Sequence, residues 1–139
     1  MKARRPERDY SHRSLADKLG LARGQRVACV NVAGHDFPRL IAGETGTQPA
    51  AVLRGRFDRI FLQVDGPRDL AKIAGAAAHL EPDGALWILH PKGKDAAVKE
   101  GQLRDAYLAC GLVDNKISAY TQTYTATRCV IPLARRGRG

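Results

Sequence analysis

The sequence predicts the α/β class: one open, mostly parallel sheet with helices on both faces. Two short apolar runs, residues 60–64 and 85–89, are rich in β-branched and aromatic side chains and are bounded by Asp, Gly and Pro, which is typical of buried strands. Between them, residues 67–80 have apolar side chains at helical spacing. A strand, a helix and a second strand within about forty residues predict a right-handed crossover in a parallel sheet.

Local signals define the ends of the helix in this crossover. Pro67 suits the first turn of a helix, where no backbone N–H is needed, and Asp69 is favoured at the positive end of the helix dipole. The stretch Glu81–Gly84 contains a proline and a glycine. We expect it to end the helix and to turn the chain into the second strand.

The segment before the crossover predicts a short helix and a strand. Residues 14–20 have leucines at positions i and i+4, with Ser11 or Ser14 as a candidate cap and Gly20 as the end. Residues 26–32 form a continuous apolar run, which is the pattern of a strand buried on both faces. We therefore expect this strand at the centre of the sheet.

The next segment is expected to add one helix and one short strand. Asp36 is a candidate N-cap for a two-turn helix over residues 37–43, in which Pro38 fits the first turn and Gly43 is the end. Residues 50–53 are expected to form a short strand at an edge of the sheet.

The last third of the chain predicts a helix and two strands. The helix spans about 96–110 and ends at Gly111. The strands span residues 112–120 and 126–133, and the connection between them, residues 121–125, is short. A short connection predicts an antiparallel hairpin.

Length and composition indicate one globular domain. The chain has 139 residues, of which 44% are hydrophobic. We expect its core over about 11–133, with basic, mobile tails at residues 1–10 and 134–139. No apolar run approaches the roughly 18 residues that a membrane-spanning helix needs, and the N-terminus has no apolar signal segment.

Neither the cysteines nor the histidines have the spacing of metal ligands. Cys29, Cys110 and Cys129 are isolated and odd in number, which predicts reduced, mostly buried thiols in a cytoplasmic protein. No two histidines stand at positions i and i+4, so no metal site is expected. Trp87 lies in a predicted buried strand and is expected in the core.

The net charge of +9 is concentrated at the two ends of the chain. Residues 1–26 have eight basic and three acidic side chains, and residues 134–139 have three arginines. Residues 27–133 have twelve basic and eleven acidic side chains and are therefore nearly neutral. The basic ends favour solvated tails over a nucleic-acid surface, because no aromatic side chains alternate with the basic ones. Non-specific contact with phosphates is the alternative.

Polar side chains follow three strands of the predicted sheet. Ligands of open parallel sheets bind beyond the carboxyl ends of the strands. We expect the loops 31–36, 65–67 and 90–94 to converge there and to form a strand-end rim. The candidate ligand-binding residues of this rim are Asn31, Gly34, His35, Asp36, Asp65 and His90, with Lys92 and Lys94 as possible anion contacts.

Each of these residues also has a purely structural interpretation. His35 and Asp36 resemble a base with its orienting carboxylate, but Asp36 is fully explained as a helix cap. Asp65 suits a ribose or an amine, and equally the start of a turn before proline. Lys92–Lys94 lacks the spacing of a phosphate-binding loop. Strand-end loops are also polar simply because they contact water.

Two motifs resemble a known enzyme family. Phe57–Ile60 enters a strand with a Phe-Asp pair, and Leu80–Ile88 announces the next strand with a leucine, a proline and a glycine. Both are similar to the second half of class I S-adenosylmethionine (SAM)-dependent methyltransferases. Cys110–Leu112 and the final hairpin are similar too. The resemblance covers most of residues 24–133 and is most specific over residues 57–90.

The first half of the chain departs from the methyltransferase pattern. The family's loop after its first strand has an acidic residue and several glycines, whereas residues 31–36 have only Gly34. The family binds the cofactor ribose with an acidic residue after its second strand. Leu53 and Arg54 stand near that position here, and an arginine cannot accept hydrogen bonds from a hydroxyl. The segment between the first strand and Phe57 has room for one helix and a short strand, whereas a complete methyltransferase has two more elements there.

The whole chain is closer to a group of short bacterial proteins of unknown function with a reduced methyltransferase-like sheet. The Ser14–Gly20 helix, the single-glycine loop, the short gap and the final hairpin are similar to theirs. This resemblance implies a Rossmann-like fold and no defined reaction.

These observations favour a protein that is not an enzyme. We expect a degenerate methyltransferase-like domain that binds a small molecule at the strand-end rim or regulates a protein partner. No cofactor is expected, because the SAM-binding motif is degraded. The first alternative is a minimal SAM-dependent methyltransferase with an open pocket between the loops 31–36 and 65–67. The second is a nucleic-acid-associated protein that acts through its basic termini.

Overall fold

The computed structural model describes residues 15–136. In this part of the chain five strands form one sheet, and helices cover both of its faces. The strands are β1 (Val27–Val30), β2 (Phe57–Gln63), β3 (Leu80–Pro91), β4 (Val113–Ala119) and β5 (Tyr124–Val130). The helices are α1 (residues 15–18), α2 (Asp36–Thr45), α3 (Lys72–Ala77, preceded by the 3-10 turn Pro67–Ala71), α4 (Glu100–Ala109) and α5 (Leu133–Arg136). The predicted caps Ser11 and Ser14 lie outside the described residues.

The sheet is mostly parallel and ends in an antiparallel hairpin, as predicted. Its strand order is β1-β2-β3-β5-β4. Strands β1, β2 and β3 are parallel, and β5 is antiparallel to both of its neighbours, β3 and β4. The second strand of the hairpin, rather than the first, therefore pairs with the parallel part of the sheet.

Strand β1 lies at an edge of the sheet, so its predicted central position was wrong. It pairs with β2, and within residues 15–136 its outer side has only a parallel bridge from Ala28 to Ala50. In that bridge the Ala50 N–H donates to the Val27 carbonyl at 2.9 Å, and the Cys29 N–H donates to the Ala50 carbonyl at 2.8 Å. The predicted strand over residues 50–53 is reduced to this contact.

Arg26 joins the start of β1 to the segment before β2. Its guanidinium donates to the carbonyl oxygens of Arg54 at 2.7 Å and Arg56 at 3.2 Å. The same group lies 4.4 Å from the centre of the Phe57 ring, a cation–π contact. The polar segment beside β1 is therefore held against the sheet edge.

The prediction that the stretch Glu81–Gly84 separates the helix from the strand was wrong, because this stretch belongs to β3. Leu80 pairs with Phe57 and Ala85 pairs with Arg59, so four residues of β3 stand opposite one residue of β2. The proline and the glycine therefore mark a bulge, after which the chain returns to the same pairing partner.

The boundaries of helices α2 and α4 differ from the prediction. Helix α2 continues past Gly43 and ends at Gly46, whose φ of 88° is left-handed, and its N-cap is His35 rather than Asp36. Helix α4 begins at Glu100, four residues later than predicted, because residues 96–99 are irregular, with a bend at 97–98.

The sheet separates two apolar clusters. One contains Leu86 and Ile88 of β3 and lies under α3 and α4. The other contains Trp87 and Leu89 and lies under α1 and α2. Alternate residues of β3 thus point to opposite layers, as the pleat of a strand requires. Trp87 is fully buried, as predicted.

The cysteines fit the prediction of mostly buried thiols. All three are free, with Cys29 and Cys129 buried and Cys110 half-buried. Burial raises the pKa of the Cys29 and Cys129 thiols to about 12. These two thiols are therefore protonated at neutral pH and serve as small apolar residues.

Candidate functional site

Two of the predicted loops, 31–36 and 65–67, are joined through Gln63 at the carboxyl ends of β1 and β2. The Asn31 side-chain amide donates to the Gln63 carbonyl at 3.0 Å, and the Ala33 N–H donates to the Gln63 side-chain oxygen at 3.2 Å. Asn31 adopts a left-handed backbone conformation, with φ of 61°, which asparagine tolerates better than most residues. This places its side chain across the crevice between the two strands.

The bonding continues to Asp65 and to strand β5. The Gln63 amide donates to one Asp65 carboxylate oxygen at 2.8 Å, and the Tyr124 hydroxyl donates to the other. The Asp65 carboxylate, which accepts this bond, raises the pKa of the Tyr124 phenol. Asn31, Gln63, Asp65 and Tyr124 are called the switch-point network below.

Three other rim residues lie beyond this network, at the start of α2. Gly34, His35 and Asp36 are all exposed. Gly34 has a φ of 81°, and no atom lies within 4 Å of the position that a Cβ would take. Asp36, the first residue of α2, is placed where the helix dipole favours a carboxylate.

His90 lies apart from the other rim residues, on the α4 face of the sheet. Its Nε2 is 2.8 Å from the Thr127 hydroxyl oxygen, and the residue is 5% exposed. Burial lowers the pKa of the His90 imidazole, while the nearby Glu100 carboxylate acts in the opposite direction. The structure does not bring His90 together with Asn31 or Asp65.

A cavity of about 240 Å³ opens beside His90. Helix α4 and strands β3, β4 and β5 contribute its walls. The lining residues are His90, Glu100, Gly101, Leu103, Arg104, Tyr107, Asp114, Ile117 and Thr127. It belongs to the layer opposite α2, and no sequence pattern predicted it.

A larger hollow of about 680 Å³ lies at the carboxyl ends of the strands, between α1, the start of α2 and the β4–β5 turn. It is called the strand-end cleft below. Of the predicted rim residues it includes Asp36 and Lys92. Its lining residues are Leu15, Lys18, Asp36, Phe37, Leu40, Lys92, Ala119, Tyr120, Thr121 and Gln122.

The aromatic part of the cleft is firmly packed. Phe37 contacts Phe61 edge-to-face with ring centres 4.9 Å apart, and it contacts Tyr120 in the same way at 5.1 Å. Burial strongly raises the pKa of the Tyr120 phenol, so the phenol is neutral over the physiological range. No sequence pattern places Phe37 beside Tyr120, because the two residues belong to elements far apart in the chain.

The described residues also bear on metal binding and on membrane-spanning helices. Among residues 15–136, no three His, Cys, Asp or Glu side chains are arranged to hold a metal ion. In the same part of the chain, the helices are too short or too polar to cross a bilayer. The basic ends on which a nucleic-acid role depends lie largely in residues 1–14 and 137–139, outside the described part, so that role stays a prediction.

Several solved methyltransferase structures are similar to this chain. Magnesium protoporphyrin IX methyltransferase (ChlM) from Synechocystis with bound SAM is 16% identical, with a TM-score of 0.64 over 89% of this chain and 77% of that chain. The CcbJ methyltransferase from Streptomyces caelestis is 10% identical, with a TM-score of 0.64 over 87% of this chain and 94% of that chain. A TehB-like SAM-dependent methyltransferase from Corynebacterium glutamicum is 12% identical, with a TM-score of 0.57 and coverage of 87% of both chains.

Sequence comparison gives no further relative. No protein-family model matches the chain, and no curated protein matches it. At identities of 10–16% the structural likeness shows the fold alone. The chain therefore has a methyltransferase-like, Rossmann-like fold, as its motifs predicted.

Proposed function

We propose that this chain is a non-catalytic, methyltransferase-like binding module that holds a small molecule in the strand-end cleft. The observation that supports this most directly is the switch-point network. In open parallel sheets the ligand occupies the crevice at the carboxyl ends of the strands. Here the amides of Asn31 and Gln63 cross that crevice and bond to the opposite loop.

A cofactor that entered the crevice would have to displace this network. A typical protein hydrogen bond contributes about 0.5–1.5 kcal/mol, and a bond to an ionised group about 1.5–3 kcal/mol. The Gln63 amide and the Tyr124 hydroxyl both bond to the Asp65 carboxylate, and because these bonds lie at the exposed surface, each contributes towards the lower end of these ranges. The network therefore favours a crevice that stays closed.

The side chains near the crevice also fit a nucleoside cofactor poorly. Arg54, near the expected position of a ribose-binding acid, is a donor only, and its carbonyl oxygen already accepts a bond from Arg26. A ribose diol is held best by a carboxylate, which can accept from both hydroxyls. These groups therefore do not suit SAM.

The neighbouring strand-end cleft has the properties of a ligand site. Its volume of about 680 Å³ falls within the roughly 300–1,000 Å³ typical of small-molecule pockets. Such pockets are mostly apolar with a few polar groups, and the cleft has the same composition, with Phe37 and Leu40 beside Lys18 and Asp36. A small molecule can bind there without opening the switch-point network.

Titration calorimetry with SAM and with its product S-adenosylhomocysteine tests the proposal. We expect dissociation constants weaker than about 1 mM for both, because the network occupies the crevice. ChlM, whose structure was solved with bound SAM, is the positive control. A dissociation constant in the micromolar range for either compound contradicts the proposal.

A minimal methyltransferase is the second candidate, and one observation favours it. Gly34 keeps a left-handed φ and open space at its Cβ position, as a loop that approaches a cofactor closely requires. This candidate predicts micromolar SAM binding that is lost in Gly34→Val, together with methyl transfer to an acceptor. The calorimetric titration thus distinguishes the two functions.

A further inference from the structure

We propose that the ligand of the strand-end cleft is an amphipathic anion: a flat apolar body that bears one acidic group such as a carboxylate, sulfonate or phosphate. This inference rests on the proposed function, since it names the chemical class that the cleft would bind.

The apolar body is inferred from the walls of the cleft. Leu15 of α1 and Leu40 of α2 line it together with Phe37 and Tyr120. The two aromatic rings pack edge-to-face with their planes at 80°, so each ring is held in a fixed orientation. Fixed aromatic rings beside leucines favour a flat, rigid group over a flexible chain, because less conformational freedom is lost on binding.

The acidic group is inferred from the two lysines of the cleft. Lys18 comes from α1 and Lys92 follows β3, so they reach the cleft from separate elements. Both are exposed. Within residues 15–136 neither ammonium group lies within ion-pairing distance of a carboxylate. An anion in the cleft would provide the missing opposite charge.

Asp36 cancels only part of this positive charge. It is the first residue of α2, where its carboxylate interacts with the positive end of the helix dipole. Lys116 adds to the positive side, because its ammonium donates to the Lys18 carbonyl oxygen at 3.0 Å. The balance around the cleft therefore favours an anion over a neutral or cationic ligand.

Two fluorescent probes with the same aromatic body test this inference. 8-Anilinonaphthalene-1-sulfonate has a sulfonate, and N-phenyl-1-naphthylamine is its uncharged counterpart. We expect the full chain to bind the sulfonate at one saturable site with an affinity about tenfold higher at low salt, since two exposed lysines each contribute a modest factor. Added salt should reduce this difference, because exposed charges are screened.

Charge-removing variants locate the site. Lys18→Gln and Lys92→Gln should each weaken binding of the sulfonate about threefold and leave binding of the uncharged probe unchanged. Lys72→Gln is the matched control, because Lys72 is an exposed lysine on α3 and does not line the cleft. Thermal melting of each variant verifies that it is folded. This excludes binding of the sulfonate to partly unfolded protein as the cause of the signal.

The outcomes separate this inference from the proposed function. Equal affinity for both probes, unaffected by the lysine variants, would overturn the anionic class and leave a cleft that binds ligands. Failure of both probes to bind would count against the cleft as a ligand site and thus against the proposed function as well. Binding of the sulfonate only after removal of residues 1–10 would overturn both, because the chain's own N-terminal segment would then be the occupant.

Discussion

His90 is a buried ionisable side chain whose charge state should affect folding. Its imidazole bonds to Thr127 between β3 and β5. The charged and titratable side chains around it are Glu100, Arg104, Tyr107 and Asp114 in one cavity, and Lys92 and Lys99 in the adjoining one. Burial lowers the pKa of His90, so the neutral form is favoured in the folded state.

This pKa shift predicts a loss of stability in mild acid. The unfolded chain binds a proton at His90 near the ordinary histidine pKa of about 6.5, whereas the folded chain binds it only at lower pH. The stabilisation is therefore present above about pH 6.5 and is lost as the pH falls through the window below it. Urea unfolding between pH 5 and pH 7.5 measures this effect.

The variant His90→Gln should have a flatter dependence of its unfolding free energy on pH over the same window. His35→Gln is the control, because His35 is exposed and should leave the dependence unchanged. If wild type and His90→Gln lose stability in parallel, the acid sensitivity belongs to other groups.

Individual site residues could be predicted only where they directly follow an apolar run that predicts a strand. Asn31 and Asp65 follow apolar runs, so the sequence placed them at strand ends. Gln63 is the last residue of β2 and Tyr124 the first of β5, and they are 61 positions apart. No local pattern relates two such residues, because their contact depends on the position of β5 in the sheet.

Among the elements, the bulge in β3 depends on a glycine. A Cβ at Gly84 would lie 2.9 Å from the Phe57 carbonyl oxygen and 3.0 Å from that of Asp58. Both are backbone atoms of β2, which cannot move without disturbing the pairing of the two strands. Gly84 is thus required by close approach of the backbones.

We expect Gly84→Ala to destabilise the fold by about 1–3 kcal/mol, since strands β2 and β3 must separate to admit the methyl group. Gly75→Ala is the matched control. Gly75 lies within α3 and has open space at its Cβ position, so alanine should stabilise the helix by about 0.5–1 kcal/mol. Chemical denaturation of both variants gives the two free energies.

A stability change of the same sign in both glycine variants would contradict this account of the bulge. If Gly84→Ala left the free energy of unfolding unchanged, the β2 backbone at Asp58 would be able to move at little cost. The bulge would then not require a glycine.

Whether a segment is a helix or a strand could be predicted better than which elements lie beside it. A continuous apolar run reports that both faces of a strand are buried, and this is true of β1. It does not report whether strands flank both edges, which is why β1 was wrongly placed at the centre. A short connection likewise predicted the hairpin but not which of its strands pairs with β3.

As a whole molecule, the chain has one sheet with an apolar layer on each face. Trp87 is the single tryptophan and lies in the layer under α1 and α2, whereas helix α4 packs on the opposite layer. The pleated strand β3 contributes side chains to both layers. The two layers should therefore unfold together.

We expect one cooperative unfolding transition in urea, as is usual for single domains of this size. Trp87 fluorescence reports one layer, and far-ultraviolet circular dichroism reports all the helices and strands. The two signals should give the same midpoint and the same slope, measured in reducing buffer so that the cysteines stay free. A fluorescence midpoint clearly below the dichroism midpoint would show that the α1–α2 layer separates first.

The covered outer side of β1 also bears on how readily another strand can add to this edge of the sheet. An uncovered edge strand offers free N–H and C=O groups to which a strand of another chain can add, which is a route to aggregation. Here the Ala50 bridge engages the Val27 carbonyl and the Cys29 N–H, and Arg26 holds the adjoining segment in place. A chain that lost the Arg26 bonds would expose the apolar edge of Val27–Val30, and that edge would become a template for cross-strand assembly.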